Sequence, residues 1–264
     1  MAKVSKARRG KNRWIGLHIY QKPITRTLLE DNLGKIMGDI DWKLFDLFDD
    51  EIHTLAILRT SLEDSLEAKK KIMDSKIKLG AQCSHYRTEG SFTGDISPKL
   101  LKEIGCHYVI TGHSERRLFH FENNEFVKNT VVSIVNKGLV PIICVGETME
   151  NKNLGNTKNF IKKQIQESVP LIKDYEIIVA YEPLWAIGSG EIPNDKEIEE
   201  VHTLIKNELN SINFLKVIYG GSVNITNCNK IFSNPNVDGA LIGGASLNFK
   251  EFLAIYDSAV KQFK

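Results

Sequence analysis

Ile177-Ile178-Val179-Ala180-Tyr181-Glu182-Pro183-Leu184-Trp185-Ala186-Ile187-Gly188-Ser189-Gly190 is the stretch on which the reading of this chain turns. An apolar run from Ile177 to Ala180 ends within two residues in a carboxylate, Glu182. A rigid Pro-Leu-Trp step follows at once, then a small-residue tip with two glycines. The pattern predicts a buried strand that delivers one acid to the rim of a site, followed directly by a loop built to move. Mobile lids bend at a few hinge positions and shield chemistry from water. The glycine pair alone fits an ordinary strand-to-helix turn, so the functional reading depends on the rest of the chain.

Outward from this strand, short apolar runs recur at 14–20, 53–58, 78–82, 108–111, 140–145, 216–219 and 239–242. Helical patterns lie between them. Ile198, Val201, Leu204, Ile205 and Leu209 recur at helical spacing, with Asn194 or Asp195 placed to cap the start. Ser97-Pro98 predicts an N-cap with proline at the first helical position. Phe126, Val127, Thr130, Val131, Ile134 and Val135 mark another helix, which Gly138 closes. Eight strand-then-helix units in about 250 residues predict a single α/β domain, a closed (β/α)₈ barrel. No Gly-x-Gly-x-x-Gly follows the first run, which argues against a dinucleotide-binding sheet.

Composition narrows the function classes. Lys+Arg 35 against Asp+Glu 33 gives a formal charge of +2, so no global field for nucleic acid or membrane is implied. No apolar run is long enough to span a bilayer and no signal-peptide core is present. Cys83, Cys106, Cys144 and Cys228 lie far apart without metal-ligand spacing, which predicts free thiols in a reducing, cytoplasmic setting and no metal site. Residues 1–13 carry Lys3, Lys6, Arg8, Arg9, Lys11 and Arg13 with no acid. They are expected to form a solvated basic tail ahead of a barrel domain over 14–264, with nucleic-acid contact or targeting as alternatives.

In such barrels the site lies at the C-terminal ends of the strands. Strand four runs into Thr111-Gly112-His113-Ser114-Glu115-Arg116-Arg117. A lone histidine is most often structural, but a helix start at Ser114 would hold His113 neutral through the positive potential of its N-terminus. A neutral imidazole can polarise a carbonyl and pass protons between neighbouring oxygens. Strands seven and eight end in Tyr219-Gly220-Gly221-Ser222 and Gly243-Gly244-Ala245-Ser246. Glycine pairs on these adjacent loops let backbone N–H groups approach a phosphate closely. A carboxylate base, a neutral histidine, a phosphate cradle and a lid together predict aldose–ketose isomerisation of a small phosphorylated sugar.

These segments resemble the triosephosphate isomerase family, as do Gly90-Ser91-Phe92-Thr93-Gly94-Asp95 and Cys144-Val145-Gly146-Glu147. The similarity runs in matching order from about Lys78 to the C-terminus. It implies a cofactor-free enzyme of glycolysis and gluconeogenesis that interconverts dihydroxyacetone phosphate and D-glyceraldehyde 3-phosphate through an enediolate. Glu182 then matches the catalytic base and His113 the neutral electrophile, a pairing for which this family is a worked example. Gly188, Ser222, Gly243 and Gly244 match phosphate-contacting positions, Tyr219 the residue that latches the closed lid, and Glu115 an acid one contact back from the substrate. Residues 83–95 match the loop that reaches into a partner subunit, which implies a homodimer.

The first strand departs from the family. The family's Asn-Trp-Lys-Met-Asn is replaced by Leu17-His18-Ile19-Tyr20, which supplies neither the asparagine nor the lysine. A cation beside a dianionic substrate is a large electrostatic contribution, on the order of 10²–10³ in rate. The alternative expectation is therefore a weakened or inactive relative that retains phosphate binding.

Overall fold

In the computed structural model, residues 77–187 and 191–263 are described, with the backbone of 13–18 and 52–58 and helical positions 69 and 72. Eight parallel strands close into a barrel in sequence order: β1 (Arg13–His18), β2 (Ile52–Leu58), β3 (Lys78–Ala81), β4 (Tyr108–Thr111), β5 (Val140–Val145), β6 (Glu176–Tyr181), β7 (Phe214–Tyr219) and β8 (Gly239–Ile242). Closure is made by β1 and β8, where Trp14 stands opposite Gly239 and Leu17 opposite Ile242. The strand at Arg13 takes the last residue assigned to the basic tail; residues 1–12 lie outside those described.

Alternation along each strand sorts side chains between two cores. Tyr108, Ile110, Ile142, Cys144, Ile178, Ala180, Ile218 and Leu241 fill the barrel interior. Their strand neighbours, among them Val109, Ile143, Val145, Val179, Tyr181, Val217 and Tyr219, meet the surrounding helices in a second cluster. Strands buried on both faces need no polar alternation, which is why they read as continuous apolar runs.

Around the barrel lie α1 (Pro98–Glu103), α2 (Ser114–Phe119), α3 (Asn124–Asn136), α4 (Met149–Asn153), α5 (Thr157–Ser168), α6 (Asp195–Glu208), α7 (Cys228–Ser233) and α8 (Phe249–Phe263). The expected caps are in place. Ser97 Oγ accepts from the Leu100 N–H ahead of Pro98. Asn194 forms a reciprocal capping box with Glu197, satisfying two donors of the first turn of α6.

Candidate active site

Glu182 follows directly on β6 and continues the inward parity of Ile178 and Ala180. It is 2% exposed. Its neighbours on both sides must be glycine: a Cβ on Gly146 would overlap the Glu182 carbonyl, and one on Gly220 would lie 2.9 Å from Glu182 Cγ.

His113 comes from β4, which is not adjacent to β6. Strand parity alone would turn it outward, since Ile110 faces inward and Thr111 does not. Gly112, at φ +68°, breaks the extended run in a region that favours glycine. Beyond that turn, His113 becomes the N-cap of α2 and its Nε2 lies 3.2 Å from Glu182 Oε1. Its Nδ1 accepts the Glu115 backbone N–H at 3.3 Å, while the Glu115 carboxylate stands 3.9 Å away, too far for a hydrogen bond. Nδ1 as acceptor leaves the ring proton on Nε2, the atom that faces Glu182. The helix start expected at Ser114 is in place, and its Glu115 N–H is the partner of Nδ1.

Glu182 is held by more than the histidine. The Ser114 N–H donates to Oε2 at 3.0 Å. The fully buried Cys144 thiol faces the same barrel interior; burial first, then the Glu182 charge, pushes it well above its usual range, so it stays protonated beside this carboxylate. Arg117 braces the strand ends beneath the pair, donating to Gly112 O at 2.7 Å, Cys144 O at 3.2 Å and Asn124 Oδ1 at 2.7 Å. Neither Ser114 nor Cys144 was singled out from sequence as a partner of Glu182.

Facing the helix layer, a second buried carboxylate, Glu147, lies against the start of the loop after β6. Glu147 ends β5 as Glu182 ends β6, and this repeated strand-then-acid pattern was its sequence signal. It is 1% exposed and accepts from Tyr181 Oη at 3.1 Å and Trp185 Nε1 at 2.8 Å. Burial, reinforced by Glu147, pushes the Tyr181 phenol far up, so it remains a donor. The Tyr219 ring packs edge-on to Tyr181 at 6.3 Å, fully buried, with no hydrogen-bond partner for its hydroxyl among the described residues.

The loops after β7 and β8 complete the rim. Ser222 Oγ donates to Ala186 O at 2.9 Å, tying the β7 loop to the start of the predicted lid. Gly243 and Gly244 lead into a short 3₁₀ turn, Gly244–Leu247, and among the described residues nothing lies within 4 Å of where a Gly244 Cβ would project. Gly188 falls outside the described residues. Among the described residues no His/Cys/Asp/Glu cluster could hold a metal ion.

The family pattern "Triosephosphate isomerase" matches residues 48–259, which span β2 to β8 and every site residue named above. The chain belongs to the triosephosphate isomerase family. A curated triosephosphate isomerase from Chlorobium phaeobacteroides is 42% identical over 197 residues, covering 72% of this chain and 79% of that protein. One from Gloeothece citriformis is 35% identical over 238 residues, covering 84% and 98%. The crystal structure of triosephosphate isomerase from Bartonella henselae superposes with a TM-score of 0.78 at 31% identity, covering 94% of this chain and 98% of that one. That crystal structure shares the fold described here, and β1 lies ahead of the span matched by the family pattern.

Proposed function

We propose that the chain interconverts dihydroxyacetone phosphate and D-glyceraldehyde 3-phosphate, with Glu182 as base and His113 as proton-donating electrophile. The observation that carries this reading is the 3.2 Å contact between His113 Nε2 and the buried Glu182 carboxylate at the C-terminal rim of the barrel. Glu182 takes a proton from the carbon beside the substrate carbonyl, and His113 Nε2–H donates to the oxygen that gains charge. The imidazole then relays protons between the two enediolate oxygens while Glu182 returns its proton to the neighbouring carbon. Only protons move, so the chemistry calls for no redox cofactor. In the conformation described, Ser114 and His113 engage the Glu182 carboxylate beside the Cys144 thiol, so it must exchange some of these donors for substrate before it acts.

Ser222, Gly243, Gly244 and Gly188 would hold the phosphate, and Tyr219 would latch the lid over it. Assembly of His113 with Glu182 disfavours the alternative of an inactive phosphate-binding relative. A homodimer is supported by Leu118, Phe119 and Phe121, which expose 64%, 68% and 85% of their surface within four residues of one another. Such a cluster is an unusual face to leave in water. A reducing cytoplasm is supported by four free thiols. No helix among the described residues is long and apolar enough to cross a membrane. The domain reading is one barrel that begins with β1 at Arg13, behind a shorter basic tail than expected.

A coupled assay of glyceraldehyde 3-phosphate conversion tests the assignment. Glu182→Ala is expected to lower kcat by about 10³ or more, in the range for loss of a positioned base. Activity that survives this substitution would remove Glu182 from the mechanism.

A further inference from the structure

One cation stands behind the His113–Glu182 pair with every nitrogen of its side chain engaged. Arg117 lies in α2, one helical turn beyond His113. Its Nε donates to Gly112 O at 2.7 Å, its Nη2 to Cys144 O at 3.2 Å and its Nη1 to Asn124 Oδ1 at 2.7 Å. The Asn124 amide continues outward, its Nδ2 donating to Glu167 Oε2 at 2.8 Å. One planar fork therefore joins the ends of β4 and β5 to the start of α3 and, through it, to α5. Burial pushes the guanidinium below its usual range, a shift that the Glu182 and Glu122 charges oppose. Three acceptors compensate the lost water around the charge.

Two of those acceptors connect the catalytic side chains. The extended run of β4 breaks at Gly112, whose φ is +68°. The peptide group between Gly112 and His113 carries that turn into α2, and its plane sets where His113 leaves the backbone. Arg117 holds the oxygen of that peptide. The turn is closely packed, since a Cβ on Gly112 would lie 2.8 Å from Arg117 Nη2 and 3.0 Å from a Val127 methyl. The other acceptor, Cys144 O, belongs to β5, the strand between β4 and β6. The next residue of β5 holds the base, because the Glu182 N–H donates to Val145 O at 2.7 Å. The fork thus refers the turn before His113 to the same strand that carries the Glu182 backbone. A lysine could donate to either carbonyl, but it lacks the rigid fork that spans both.

We propose that Arg117 is a positioning residue: by holding the Gly112 and Cys144 carbonyls in one fork, it sets the distance between His113 and Glu182. The inference rests on the isomerase reading, in which these two side chains share the proton transfers. Arg117 itself touches no reacting atom. Its loss acts on the chemical step rather than on substrate binding, since reacting groups displaced by about 1 Å lose on the order of 10² in rate.

The test uses the full chain, with isotope-labelled histidine, as Arg117→Lys, Arg117→Gln and Asn124→Ala. The ring resonances of His113 in substrate-free protein read its place without reference to activity. The chain has seven histidines, so the other six report on the fold as a whole. Arg117→Lys is expected to shift the His113 resonances selectively and to lower kcat by about 10², with KM within a few-fold. Arg117→Gln, which loses the charge as well as the fork, should lose at least as much. Asn124→Ala leaves both carbonyl contacts in place and should move both readings the same way by less. Unchanged His113 resonances in Arg117→Lys would overturn the proposal, as would shifts spread evenly over all the histidines or a KM rise as large as the fall in kcat. Should both Arg117 variants fail to fold, Asn124→Ala decides on the same resonances, a selective His113 shift supporting the proposal and none overturning it. A native chain without isomerase activity would instead overturn the function proposed above, and the resonances would still decide the role of Arg117.

Discussion

The rim of the barrel carries two kinds of polar surface, and they are finished to different degrees. Around Glu182 the protein supplies its own partners: the Ser114 N–H and His113 Nε2 reach one carboxylate that is 2% exposed, with the Cys144 thiol beside it. Around Gly244 it supplies space, with nothing among the described residues within 4 Å of the position a Cβ would take. The contrast teaches how the work is divided. On the proposed mechanism, the base waits buried among donors that substrate partly replaces, whereas the loop at Gly243 and Gly244 is left for the phosphate to complete.

That contrast predicts a split in kinetics. Glu182→Ala carries the largest loss, and His113→Gln should come next, lowering kcat by about 10²–10³ with KM within a few-fold. A KM rise as large as the kcat fall would mean that His113 serves mainly to bind, and the two halves of the rim would not be distinct. Gly244→Val sharpens the other side. Its side chain would enter open space without meeting the protein, so folding should be retained. KM should rise by about tenfold, with a smaller change in kcat, as one phosphate-facing surface is obstructed. Equal KM for Val and Gly at this position would place the phosphate elsewhere.

The smallest effect is expected between the two regions, at Tyr219. Removing its hydroxyl with Tyr219→Phe should cost a few-fold in kcat/KM and raise the methylglyoxal fraction, since the buried ring keeps its packing against Tyr181 while the latch is lost. Steady-state rates and product analysis on one sample decide it. An unchanged product ratio would assign Tyr219 to the helix-side core alone, where its ring already lies.

Much of this was legible in the amino-acid order, for a physical reason. Strands β4, β5 and β8 have the bounds their apolar runs predicted, because burial on both faces leaves a continuous signature only a few residues long. Caps at Ser97 and Asn194 were equally readable, since a side chain that bonds the third residue onward acts within one helical turn. Glu182 could be singled out because an acid that ends a buried run is a local anomaly. The first strand shows the limit of such reading. Its run was expected at 14–20, the strand occupies Arg13–His18, and the missing lysine was noticed only through comparison with a family motif.

Other features depended on closure of the barrel. Nothing in the spacing of His113 and Glu182, 69 residues apart on strands separated by β5, implies a 3.2 Å contact. It arises from the tilt and stagger of a closed sheet together with the turn at Gly112. The same holds for Glu147, whose carboxylate gathers Tyr181 and Trp185 from the next strand and its loop, and for Lys152, which reaches a helix 43 residues onward. Periodicity and capping are set by neighbours along the chain, so the sequence by itself determined the elements and the residues able to do chemistry. Distances across the rim are set by how eight strands pack into one ring, so only the tertiary structure decided which of those residues meet.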